Sequence, residues 1–164
     1  TDTFGPFLYP NQYVNFNPAS AAVQKGAELS AGAADQIGVV TAIYNYVINN
    51  LTYDTAKAQS VQSGYLPNVD VVLAQKKGIC FDYAALAAAM LRSAGIPCKL
   101  ITGYVENDVY HAWNCFYLES QGWVTVQIAA SPDTWQRVDI TFAASGTPTN
   151  ALQDDSRYTP RFTY

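Results

Sequence analysis

The stretch CFDYAALAAAMLRSA, residues 80–94, constrains the fold more than any other part of the chain. Twelve of its fifteen residues are apolar, and five alanines lie between positions 84 and 89. This pattern predicts a helix that is apolar all round, which is stable only when protein surrounds it, and alanine lets the neighbours approach closely. Asp82 in the first turn and Arg92 in the last suit the helix macrodipole. Gly95 and Pro97 stop the helix. Such a helix needs a shell of other elements. The chain has 164 residues, 49% of them hydrophobic and 13% charged, enough for one domain with a real core and too few for two.

The shell can be read on both sides of that helix. Residues 1–18, rich in proline, glycine and aromatics, read as an extended arm laid over the body. A short helix is predicted over 19–29. A second, over 35–50, carries Ile37, Val40, Ile43, Tyr44, Val47 and Ile48 at amphipathic spacing. Residues 55–68 read as a long polar loop, and Asn68 or Asp70 as the cap of a helical turn running through Leu73. Downstream, strands are predicted over 99–105, 110–118, 123–130 and 135–142, with a turn at 131–133 that includes Asp133. Helices first and sheet later predicts an α+β fold rather than alternating βαβ units. The chain reads as a single domain over 1–164 with a core at about 35–145.

Charge and spacing exclude several classes of function. The net charge is −4, and no basic cluster exceeds the pair Lys76–Lys77, so a nucleic-acid footprint is not expected. No run approaches the roughly 20 apolar residues that span a bilayer. The opening TDTFGPFLYP lacks the basic and apolar regions of a signal peptide. Cys80, Cys98 and Cys115 make no disulfide framework and contain no C-x₂-C pair, so no structural zinc site is expected. A Cys98–Cys115 bridge between adjacent strands is left open, to be decided by register. Phosphate-cradling glycine motifs and the Gly-x-Ser-x-Gly elbow are absent. Neither a metal nor an organic cofactor is implied.

What remains is thiol chemistry. Cys80 sits where the apolar helix begins, so the unpaired N–H groups of the first turn are expected to stabilise its thiolate and lower its pKa. The same groups are ready donors to an oxyanion on an attacked carbonyl. A small buried hydrophobe is the other reading of Cys80, and its position alone does not choose. His111 is the only histidine. If a Cys–His pair exists, His111 must supply its base. Period-2 alternation puts His111, Trp113 and Cys115 on one face of a strand, where Trp113 either flanks the site or is core. An imidazole needs its second nitrogen held. Of the similar stretches WVTVQIA and WQRVDIT only the second offers a carboxylate, Asp139, with Gln127 of the first as the weaker alternative.

These residues carry a likeness. GICFDYAAL, LRSAGIP, TGYV, HAWN and WQRVDITF, in order from Gly78 to Phe142, resemble the bacterial branch of the transglutaminase-like superfamily. Its pattern there is G-x-C-x-D-Y-A, L-R-x-x-G-I-P, T-G-Y, H-A-W and W-x-x-x-D-x-T. Upstream, AIYNYVINNLTYD (42–54) resembles the helix that precedes the family's catalytic segment. The resemblance implies a papain-like α+β fold, with the cysteine helix packed on an antiparallel sheet. It implies Cys80 as nucleophile, His111 as base and Asp139 as orienting acid. The implied reaction is acyl transfer from a peptide bond or glutamine-type amide through an acyl-enzyme, completed by water or by an amine. The implied partner is a protein or peptide substrate, and the implied setting the exterior or cell envelope of a bacterium. Gln12 and Tyr65 are the named candidates for a second oxyanion donor beside the Cys80 N–H. Two departures stand out: Ile140 replaces the family's usual proline after the aspartate, and Trp123–Trp135 reads as an inserted strand and turn. Without that insertion Gln127 would fall on the aspartate position. The alternative to an enzyme is a non-catalytic protein- or peptidoglycan-binding module that keeps the fold.

Overall fold

In a computed structural model that describes residues 4–60, 65–105, 109–120, 122–126, 142–144 and 159–164, helices do precede the sheet. A 3₁₀ turn (Gly5–Phe7) is followed by α1 (Ala21–Ser30), α2 (Gln36–Asn50), β1 (Thr52–Tyr53), α3 (Thr55–Ser60), α4 (Val69–Gln75), β2 (Lys77–Gly78) and α5 (Cys80–Ser93). Then come β3 (Cys98–Val105), β4 (Val109–Leu118), β5 (Gly122–Val126), β6 (Phe142–Ala144) and β7 (Thr159–Thr163). The last five strands form one antiparallel sheet in the order β6-β5-β4-β3-β7. The strand expected over 135–142 is described only from Phe142 onward, and 127–130 of the preceding one lie outside the described residues.

The apolar helix is the hub. Every residue of α5 from Asp82 to Arg92 is buried, with α1, α2, α4, β3 and β4 packed against it. Gly26 lets α1 close in, since a Cβ there would lie 3.2 Å from Met90 Cβ. At the far end Gly95 takes φ 85°. The Gly95 and Ile96 N–H groups return to the carbonyls of Arg92 (3.0 Å) and Leu91 (2.9 Å), a Schellman stop that favours glycine. Arg92 does more than complement the dipole: buried, it donates to the main-chain oxygens of Cys98, Tyr9 and Tyr164. It thereby ties α5 to β3, to the arm and to the end of β7. Caps follow the sequence, with one redistribution. Asn68 accepts from the Val71 N–H to start α4, while Asp70 accepts from the Ala22 N–H and so caps α1 from outside.

Two expectations are corrected, and one left open is settled. The polar stretch 55–68 holds a helix, α3, which Asp54 starts by accepting from the Lys57 N–H at 3.0 Å. The arm is not simply extended: beyond its 3₁₀ turn it seats Val14 in the main core. Its Phe4 and Phe7 cover Tyr117 and Trp123 on the sheet face away from α5. Finally, Cys98 pairs with Phe116 and Cys115 with Lys99. That register sends the two thiols to opposite faces, and neither is in a disulfide among the described residues. Among the described residues no helix is long and apolar enough to cross a membrane.

Candidate active site

The start of α5 is held from both sides. A two-residue parallel clip, β1 with β2, pairs Tyr53 with Gly78, and the Asp54 N–H donates to the Gly78 carbonyl at 2.8 Å. Ile79 is the N-cap, and Cys80 opens the helix as expected. The residue is partly exposed, and the main-chain N–H groups of Ala112, Phe81 and Cys80 itself act on the thiol in favour of its thiolate. Yet the thiol is not depressed. Burial pushes it up to about 11, the main-chain donors pull against that, and the nearby Asp82 carboxylate adds to the rise. The helix terminus alone therefore does not make a thiolate at neutral pH. A base is required.

The influence of Ala112 bears on where such a base could come from. Ala112 lies on β4 directly after His111, whose backbone pairs with Gly103 of β3. The strand whose main chain acts on the thiol is thus the strand that bears the histidine. Asp139, with its neighbours Asp133 and Ile140, and the alternative Gln127 lie outside the described residues. Trp113 is 3% exposed and packs with Ile101, Cys115 and Trp123 on the face away from α5. Gln12 is exposed on the arm, next to Tyr13, whose ring stacks on Phe81 at 6.0 Å. The Tyr65 hydroxyl is directed at the Asp82 carboxylate and at Lys57 rather than at the sulfur.

Two residues to which the sequence reading gave no part in the site organise this region. Asp82 is fully buried. Its carboxylate accepts from the Ile79 N–H (2.9 Å), from Lys57 Nζ (2.8 Å) and from the Tyr65 hydroxyl. Asn114, 1% exposed, accepts from the Tyr44 hydroxyl at 3.0 Å and donates to the Ala84 carbonyl at 3.0 Å. It pins β4 to α2 and to α5 one turn beyond Cys80. The signal for both was available: a polar residue inside an otherwise apolar, buried run must find partners.

Residues 23–128 match the family model of the transglutaminase-like superfamily core. Two curated relatives are each 30% identical. One is the uncharacterized protein YebA of Bacillus subtilis, over 107 residues (54% of this chain, 14% of YebA). The other is a protein-glutamine gamma-glutamyltransferase of Pseudomonas aeruginosa, over 70 residues (35% of this chain, 10% of the relative). The chain thus spans about a seventh and a tenth of their lengths. Among solved structures, it resembles a candidate cysteine protease of Cytophaga hutchinsonii (TM-score 0.62, 21% identity, 100% of this chain and 55% of that one). It also resembles the periplasmic domain of TgpA from Pseudomonas aeruginosa (TM-score 0.58, 23% identity, 76% of this chain and 49% of that one). At these identities the structural likeness is one of fold, mixed helix and antiparallel sheet.

Proposed function

Because this chain belongs to the transglutaminase-like superfamily, we propose that it is a thiol-dependent acyl-transfer enzyme acting on peptide or glutamine-type amide bonds. The observation that carries the reading is the action of the Ala112 main-chain N–H on the Cys80 thiol, which sets the thiol beside the residue following the only histidine. In this reading His111 takes the thiol proton as the sulfur bonds to the substrate carbonyl carbon, and returns it to the nitrogen as the C–N bond breaks. The first-turn N–H of Cys80 meets the developing oxyanion. Gln12 supplies the second donor, a role supported by the stacking of Tyr13 on Phe81. Asp139 orients the imidazole, a role supported by the W-x-x-x-D-x-T resemblance. Water or an amine then resolves the acyl-enzyme.

The substrate on this reading is a protein or peptide. The setting is extracellular or in the cell envelope, which the fold likeness to a periplasmic domain supports. One observation favours a second reading, a non-catalytic binding module: a buried thiol pushed up to about 11 is a poor nucleophile until a base engages it. Ammonia release from a glutamine-containing protein, with and without a fluorescent primary amine, together with peptide cleavage, separates the two readings. Wild type should turn over at least one substrate, and Cys80→Ala should lose about 10³-fold or more of that rate. Turnover that survives in Cys80→Ala, or none at all in wild type, contradicts the enzyme.

A further inference from the structure

The most unusual charge arrangement among the described residues lies just behind the nucleophile. Asp82 is a carboxylate with no exposed surface, two residues after Cys80 in the same helical turn. Burying such a group is costly unless it is paired and hydrogen-bonded. Here the side-chain partners are Lys57 and Tyr65, beside the Ile79 N–H of the same turn. Lys57 on α3 forms the ion pair at 2.8 Å, its ammonium also lies 4.4 Å from the Tyr65 ring centroid, and the Tyr65 hydroxyl bonds the second carboxylate oxygen. The backbone is shaped to admit the carboxylate. A Cβ on Gly78 would fall 2.6 Å from Asp82 Cβ and 2.8 Å from its Oδ2.

We propose that Lys57 and Tyr65 are positioning residues for Cys80: by holding the Asp82 carboxylate they fix the first turn of α5 and shield the thiol from that buried negative charge. The proposal rests on Cys80 being the reactive group. The charged and titratable groups found against the carboxylate among the described residues are Lys57 on α3, Tyr65 after it and Cys80 on α5 itself. Of these Lys57 is the cation in contact with the carboxylate. Burial pulls the Lys57 ammonium down, but the hydrogen bonds and charge of Asp82 and Tyr65 outweigh it and leave it raised. Burial, with the bond to Asp82, holds the Tyr65 phenol at about 12, so it stays a donor throughout the working range. With Lys57 removed, Asp82 bears on the sulfur uncompensated and thiolate formation is disfavoured.

The test is the pH profile of Cys80 alkylation by iodoacetamide, read by peptide mass spectrometry, in folded wild type, Lys57→Met, Lys57→Arg and Lys57→Met with Asp82→Asn. Lys57→Met should move the profile up by about one pH unit, tenfold in rate below the midpoint. Lys57→Arg should restore most of it, and Asp82→Asn in the Lys57→Met background should bring the profile back down. If Lys57→Met does not fold, Tyr65→Phe, which removes one hydroxyl, should move the profile in the same direction by a smaller step. A folded Lys57→Met or Tyr65→Phe protein with the wild-type profile overturns the proposal, as does an upward shift that Asp82→Asn does not reverse. Failure of the enzyme reading has a different signature, loss of the wild-type dependence on His111, because the charge of Asp82 acts on the thiol whether or not the imidazole does.

Discussion

Thr102 and Asn114 show what single side chains contribute beneath the site. Both lie on β3 or β4 facing α5. Asn114 has its amide satisfied by Tyr44 and by the carbonyls of Ala84 and Lys99. Thr102, opposite Ala112 in the register, is 1% exposed with its hydroxyl unpartnered among the described residues. A buried hydroxyl without a partner costs about 1–3 kcal/mol. Thr102→Val, which keeps the branched shape, should therefore leave stability unchanged or raise it by about 1 kcal/mol, measured as the urea midpoint; a fall of that size would contradict the assignment. Polar residues were also where the sequence was least legible. Asp82 and Arg92 read as dipole partners, the weakest role open to them. Pattern alone does not show that a helix wrapped on all sides leaves its polar residues no water, so each must be answered by a named group elsewhere in the chain.

At the scale of elements, α5 was legible because its signal is extreme: apolar all round, with a glycine and a proline behind it. The amphipathic α2 and the strands β3 and β4 were legible for similar reasons of period. By contrast, α3 was missed. The segment TAKAQS has no apolar stripe, and its one start signal, Asp54, is short-range. That helix matters because it delivers Lys57 to the first turn of α5, where it pairs with Asp82. The glycine of the G-x-C motif is an element-scale feature as well. It lies where β2 meets α5, and its missing Cβ is the space the Asp82 side chain occupies. Asp82 is held by three donors and cannot swing aside. Gly78→Ala should thus cost about 1–3 kcal/mol, the usual penalty for overpacking, seen as a lower denaturant midpoint; an unchanged midpoint would mean that the turn relaxes freely.

Over the whole molecule, the order of elements carried the fold class, since helices followed by a meander-like sheet leave few ways to bury α5. The register that separates Cys98 from Cys115, and the route of the arm across the far sheet face, were beyond the sequence because both depend on long-range pairing. The site itself is a long-range product. The helix start and the histidine strand lie some thirty residues apart in the chain and come together where β4 packs on α5, with Ala112 acting on the Cys80 thiol. The central claim is that Cys80, unreactive in its own surroundings, is activated by His111. Alkylation of the native protein reads this directly, because Cys98 is fully buried with its thiol pushed up to about 12 and Cys115 is buried within the sheet face. Iodoacetamide should modify Cys80 near neutral pH in wild type, and in His111→Ala the profile should move to higher pH, because burial then acts on the thiol without a base to offset it. Coincident profiles for the two proteins would contradict the account.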